Sequence, residues 1–194
     1  MTPKRFNELA RQLFGNVLEP HGFSSSESKR CTFYRKSDDL YRFVIPDISR
    51  SGSWYDIKVF VSSPLIDPCF ESRFPDDLGI PFDVHSYLNP VAGVGMRQKQ
   101  FGCETDQAMQ ASFDSLVKKA LVEIAIPFLS QFRRIEDALP YLKTKLHRGT
   151  ALLKVGRREE GKEILAKERE RLLTAESSDP VVQTWLKFID VQLA

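Results

Sequence analysis

At 194 residues and 22.2 kDa the chain is long enough for one ordinary domain with a small appendage. Its 42% hydrophobic and 28% charged residues exclude wholesale disorder and fibrous architectures, and 28 Lys plus Arg against 26 Asp plus Glu exclude a global basic field for nucleic acid. Three widely spaced cysteines, Cys31, Cys69 and Cys103, argue against a disulfide scaffold and suit a reducing, cytoplasmic setting. The longest apolar runs, such as Ala120–Ile126, are cut by Glu123, so no membrane span is expected.

The first element is an amphipathic helix over Pro3–Leu18. Phe6, Leu9, Ala10, Leu13, Phe14, Val17 and Leu18 recur at helical spacing, while Asn7, Glu8, Arg11 and Gln12 break up any signal-peptide run. Thr2 is placed to cap it, Pro3 suits the first turn, and Pro20 and Gly22 stop it. The period then changes. Cys31–Lys36, Leu40–Ile45 and Trp54–Val61 are rich in β-branched and aromatic residues and alternate in twos. They predict an antiparallel meander with one face on the core. Tyr55, Ile57, Val59 and Val61 share that face, and Trp54, Asp56, Lys58 and Phe60 share the other.

Prolines 64, 68, 75, 81 and 90 punctuate the next segment, with a further strand expected within Met96–Phe101. From Thr105 the chain reads as helical. Phe113, Leu116, Val117, Ala120, Leu121 and Ile124 mark a helix over Asp106–Ile126, which Pro127 ends or kinks. Shorter helices follow at about Ile135–Leu146, Thr150–Val155, Glu159–Leu173 and Val181–Leu193, the last capped by Asp179. The stretch after Gly149 looks like a single tetratricopeptide unit, which cannot bury its own face. These elements predict an α+β body over residues 1–146, its sheet covered by the helices Pro3–Leu18 and Asp106–Ile126. A helical extension over residues 147–194 is expected to dock on it.

Four motifs carry a resemblance: Leu18-Glu-Pro-His-Gly-Phe23, Thr32-Phe-Tyr-Arg35, Ile126-Pro-Phe-Leu-Ser-Gln-Phe132 and Ile135-Glu-Asp-Ala138. Over roughly residues 5–146 the chain resembles the DUF4304 family of uncharacterised bacterial proteins. It departs from that family at Phe43-Val-Ile-Pro-Asp-Ile48, where a Gln-containing strand is usual. The resemblance implies an α+β fold and supplies no catalytic residue.

The residues themselves offer little chemistry. His21, His85 and His147 lie in separate segments, and no Cys-x-x-Cys or His-x-x-x-His pattern marks a metal site. His21 suits a helix end, and the cysteines read as small buried hydrophobes. No catalytic residue, metal or cofactor is predicted. Gly93, Gly95, Arg97 and Lys99 are the best candidate for an anion-binding loop, but no Gly-Lys-Ser/Thr follows and a glycine-kinked loop or strand bulge is the preferred reading. The dibasic pairs Lys118-Lys119, Arg133-Arg134 and Arg157-Arg158 have acidic neighbours and read as solvated helix faces. Trp185 and Phe188 are the expected protein-interface residues, Phe188 lying off the stripe of Val182, Trp185, Ile189 and Leu193 and so facing outward.

The function expected on this basis is a non-catalytic protein-binding module, of immunity or antitoxin type, with a protein partner or a second copy and with neither nucleic acid nor membrane. The alternatives are a hydrolase or transferase using carboxylates near the 64–104 segment, and a small-ligand or anion-binding protein.

Overall fold

The computed structural model describes residues 1–26, 30–38, 40–70, 100–142, 144–174 and 178–194. Among them, residues 1–26, 30–36, 41–60 and 100–131 gather into one compact unit, and residues 37–38, 40, 61–70, 132–142, 144–174 and 178–194 into a second. The fold is α+β: five strands in one antiparallel sheet, with six helices among the described residues.

The first unit opens on helix α1, Pro3–Leu18. The Thr2 hydroxyl accepts from the Arg5 amide at 3.3 Å, satisfying one of the donors a helix start leaves free. All seven stripe residues are buried. The sheet runs β1 (Ser24–Ser25), β2 (Phe33–Ser37), β3 (Leu40–Ile48), β4 (Trp54–Ser62) and β5 (Phe101–Gly102), with chain order equal to spatial order. β1 pairs on β2 through Ser24 opposite Tyr34, and β5 pairs on β4 through Gly102 opposite Trp54. Both edge strands are only two residues long, which leaves little backbone for an edge-to-edge pairing. Of the strand expected within Met96–Phe101, Phe101 is in β5, and residues 96–99 lie outside the described residues.

The β3–β4 hairpin has a single register. The Ser49 amide donates to the Trp54 carbonyl at 2.8 Å, and the Phe43 and Phe60 rings stack at 4.8 Å. Both contacts put Asp47 across from Asp56. Tyr55, Ile57, Val59 and Val61 are all buried, as the alternation requires. Phe6 and Phe14 of α1 meet the Tyr55 ring at 5.4 and 6.4 Å, and Phe14 also meets Phe33 of β2 and Phe113. The other face differs from expectation. It was to face away from the core, yet Phe43, Ile45 and Phe60 are buried there too, while Tyr41 and the Asp47–Asp56 end are half-exposed.

Helix α2 spans residues 106–130, with the Thr105 hydroxyl accepting from the Ala108 amide. Two π turns interrupt it, Phe113–Val117 and Leu121–Ala125. Pro127 does not end the helix. The second π turn restarts the hydrogen-bond ladder at Ile126, so Pro127 falls in the first turn of the segment Ile126–Ser130, where a missing N–H costs nothing. Two sheet arginines reach the far end of α2. Buried Arg42 donates from Nε to the Leu129 carbonyl at 3.0 Å, and Arg35 donates to Ser130 Oγ and to the His21 carbonyl while lying over the Phe23 ring. Guanidinium groups there meet the negative end of the helix dipole.

The second unit holds α3 (Ile135–Ala138), α4 (Lys145–Lys154), α5 (Arg158–Thr174) and α6 (Pro180–Leu193). The single helix expected over Ile135–Leu146 is broken. Pro140 sits in a 3-10 turn, Leu139–Tyr141, and Leu142 is extended, so α4 starts afresh at Lys145 and absorbs the pattern read at Thr150–Val155. Asp179 caps α6 by accepting from the Val181 amide at 2.8 Å. Leu146, Leu165, Leu172 and Ile189 form the buried centre of this helical set. Among the described residues no helix is long and apolar enough to cross a membrane.

Candidate functional site

The nucleophiles and bases of the sequence are dispersed. His21 is exposed at the end of the turn after α1. His147 is fully buried on α4, its Nε2 3.9 Å from Asp67 Oδ1, beyond hydrogen-bond distance, and its ring edge-on to Trp185. The Asp67 carboxylate accepts instead from the Cys69 amide at 2.8 Å. His85 and the loop residues Gly93, Gly95, Arg97 and Lys99 lie outside the described residues. All three cysteines are buried. Burial pushes the Cys31 thiol up to about 12 and the Cys103 thiol up to about 11, so neither is a thiolate at neutral pH. Among the described residues no three His, Cys, Asp or Glu side chains form a metal-binding group.

One carboxylate pair stands out in the first unit. The hairpin register sets Asp47 opposite Asp56, a like-charge pairing that destabilises a sheet unless cations intervene. Arg30 bonds Asp47 at 2.6 Å and Lys58 bonds its other oxygen. Burial alone would raise the Asp47 carboxyl, but those bonds and charges outweigh it and hold it below the usual range. Asp56 goes the other way. Burial raises it, Lys58 opposes the rise, Asp47 adds to it, and its Oδ1 is buried with no hydrogen-bond donor among the described residues. The four charges cancel, which is sufficient to explain the cluster as a structural ion-pair network between the hairpin and Arg30 of the segment before β2.

The signs give a test. A raised carboxyl favours the folded state only when protonated, so ionised Asp56 costs stability above its folded-state pKa. A depressed carboxyl contributes stability above its unfolded pKa and loses it as pH falls through the lower folded value. Asp56→Asn is expected to raise stability at neutral pH by roughly 0.5–1 kcal/mol, and Asp47→Asn to lower it by about 1–2 kcal/mol. Urea titrations at neutral and mildly acidic pH check both. The Asp56→Asn gain should shrink on acidification, and a gain that grows would show the Asp56 assignment to be wrong.

The feature that sequence reading missed lies in the second unit, around the turn between α4 and α5. Gly156, at φ 84°, ends α4 in the left-handed conformation that leaves glycine unstrained, and the amides of Val155, Gly156 and Arg157 close the last turn on Ala151, Leu153 and Leu152. In α3, the Asp137 carboxylate accepts from the Arg134 and Arg133 amides just before the helix at 2.9 and 2.7 Å, which holds it below the ordinary carboxylate range. Asp137 is therefore engaged with backbone. Glu160 is engaged by Arg157. Arg133, Arg134, Lys154 and Arg158 are all exposed, and none forms an ion pair with a described residue.

These cations surround two hollows that share Lys154. The first, about 240 Å³, has an apolar floor of Leu40, Leu65, Ile135 and Val155, with Arg133, Arg134 and Lys154 on its rim beside Asp38 and Glu136. The second, about 470 Å³, is lined by Leu153, Lys154, Arg158, Lys162 and Val191. Lys162 Nζ is within 3.3 Å of the Leu193 carbonyl, to which it donates. In a third hollow, between α5 and α6, the one lining cation is paired: Arg169 is bonded to Asp190 at 2.6 Å, beside Glu170.

The residues expected at a protein interface lie on α6. Trp185 and Phe188 are half-buried against the Leu146–Leu165–Leu172–Ile189 centre. Phe188, expected to face outward, packs inward because α5 meets α6 along a broader face than the four-residue stripe. The apolar group left outside on α6 is Val191, 72% exposed and lining the second hollow.

Comparison of the chain with protein-family models, curated proteins and solved structures finds no match. The functional reading therefore rests on this geometry alone.

Proposed function

We propose that the protein is a non-catalytic protein-binding module whose partner seats on the second unit, at the turn between α4 and α5. The observation that carries the reading is a set of four exposed cations, none in an ion pair with a described residue, three around an apolar-floored hollow and the fourth, Arg158, at the hollow beside it. On and just before α5, by comparison, Arg157 is paired with Glu160, Lys167 with Glu163 and Arg171 with Glu168, and Arg169 bonds Asp190 of α6, whereas Lys145 and Arg148 of α4 are exposed and have no ion pair with a described residue. A desolvated hydrophobic centre with a charged rim is the usual anatomy of a protein-recognition surface.

The test is affinity capture with the tagged full chain, wild type against Arg134→Glu/Lys154→Glu, after their melting temperatures have been shown to agree. Wild type is expected to retain a stoichiometric polypeptide that the double variant loses. A partner held equally well by both would move the binding surface elsewhere.

A further inference from the structure

Resting on the reading just given, we infer the chemistry of the partner: an acidic polypeptide segment that inserts one apolar side chain between Leu40, Leu65, Ile135 and Val155 and lays carboxylates on Arg133, Arg134, Lys154 and Arg158. The first hollow, at about 240 Å³, is smaller than the roughly 300–1,000 Å³ typical of small-molecule and cofactor sites, and suits a single side chain. Its floor is aliphatic, so an apolar group gains there by leaving water. Five cations line the two hollows against the acids Asp38 and Glu136, in a chain whose net charge is only +2. Lys162 is drawn toward the Leu193 carbonyl, which leaves three arginines and Lys154 to act. Arginine forks match carboxylates in bidentate geometry, which favours an anionic partner with planar groups.

A nucleic acid is the competing anion, and one feature counts against it. Among the described residues no aromatic ring lines either hollow to stack a base.

Fluorescence anisotropy on the full-length protein decides. The probe is a fluorescein-labelled nonapeptide with one central leucine flanked on each side by three alternating Glu and Asp residues, and with glycine ends. It is compared with the same peptide carrying serine at the centre, and with a single-stranded oligonucleotide of equal charge. The leucine peptide is expected to bind at about 50 mM salt and to weaken as salt rises, since exposed charges are screened. Serine at its centre should weaken it by about tenfold or more, the cost of one lost apolar side chain. Arg134→Glu/Lys154→Glu should weaken it by at least about tenfold, and Lys4→Glu/Lys118→Glu, an equal charge change in the first unit, should leave it within about twofold.

Binding that ignores the central leucine, survives the Arg134→Glu/Lys154→Glu change, or is matched by the oligonucleotide overturns the inference, as does no binding by the leucine peptide. The capture experiment separates the two levels. If a captured partner depends on Arg134 and Lys154 while the peptide does not bind, the acidic-segment inference fails and the protein-binding reading stands. If neither depends on those residues, both fail.

Discussion

Replacing Phe14 by alanine is expected to cost about 3–5 kcal/mol, the range for deleting a buried aromatic ring from a close-packed core. Phe14 is fully buried, and its ring meets three others: Phe113 at 5.0 Å, Phe33 at 6.3 Å and Tyr55 at 6.4 Å. It is thus the point where α1, α2, β2 and β4 share one contact, and a cavity there cannot close without moving several elements. At this chain length the melting temperature should fall by roughly 10 °C. Phe14→Leu keeps most of the volume and is expected to cost roughly 1.5 kcal/mol. Urea unfolding with an unchanged slope is the measurement. An alanine variant that loses less than the leucine variant would mean the four rings do not form the centre of this unit.

The second large effect is expected at Gly161. Alanine normally favours a helix interior over glycine by about 1 kcal/mol. Here a Cβ would lie 2.8 Å from the Gly149 carbonyl oxygen and 2.8 Å from Leu153 Cδ2, while a Cβ on Gly149 would come within 2.7 Å of Leu165 Cγ. The leucines can turn aside, but the carbonyl is backbone, so α4 and α5 must separate. Overpacking of this kind costs about 3 kcal/mol, which outweighs the propensity gain and leaves Gly161→Ala less stable by about 2 kcal/mol. Trp185 packs on the same helical set and reports its unfolding, read in a Trp54→Phe background. An increase in stability would show that the helices do not cross at this point.

Several elements were legible because a local rule and the tertiary environment agree. The stripe from Phe6 to Leu18 is one face of a helix whatever covers it, and Thr2 with Pro3 marks its start. The alternation Tyr55, Ile57, Val59, Val61 has only one way to sit on a sheet, because a slip of one residue would expose all four and bury Asp56 and Lys58. Asp179-Pro180 likewise opens α6 by its own chemistry.

Where a rule needed a neighbour, sequence reading fell short. Pro127 breaks a regular α-helix, and only the π turn before it makes the position harmless. Phe43 and Phe60 look like the outer face of a two-layer sheet, and their burial depends on what is packed there, which alternation does not encode. The candidate site shows the limit most sharply. Arg133, Arg134 and Arg158 are visible as members of dibasic pairs, and Asp137 and Glu160 are visible as neighbours that ought to neutralise them. Local order along the chain thus settled the helix faces, the strand alternation and the caps, since these depend on residues within a turn or two of one another. Which neighbour each carboxylate takes, Asp137 the Arg133 and Arg134 amides and Glu160 the Arg157 guanidinium, is a choice among groups three or four residues away that spacing leaves open. The tertiary structure alone decided that Leu40 and Leu65 join Ile135 and Val155 beneath the remaining cations, because a pocket gathers distant parts of the chain and is set by three-dimensional distance rather than by spacing along the sequence.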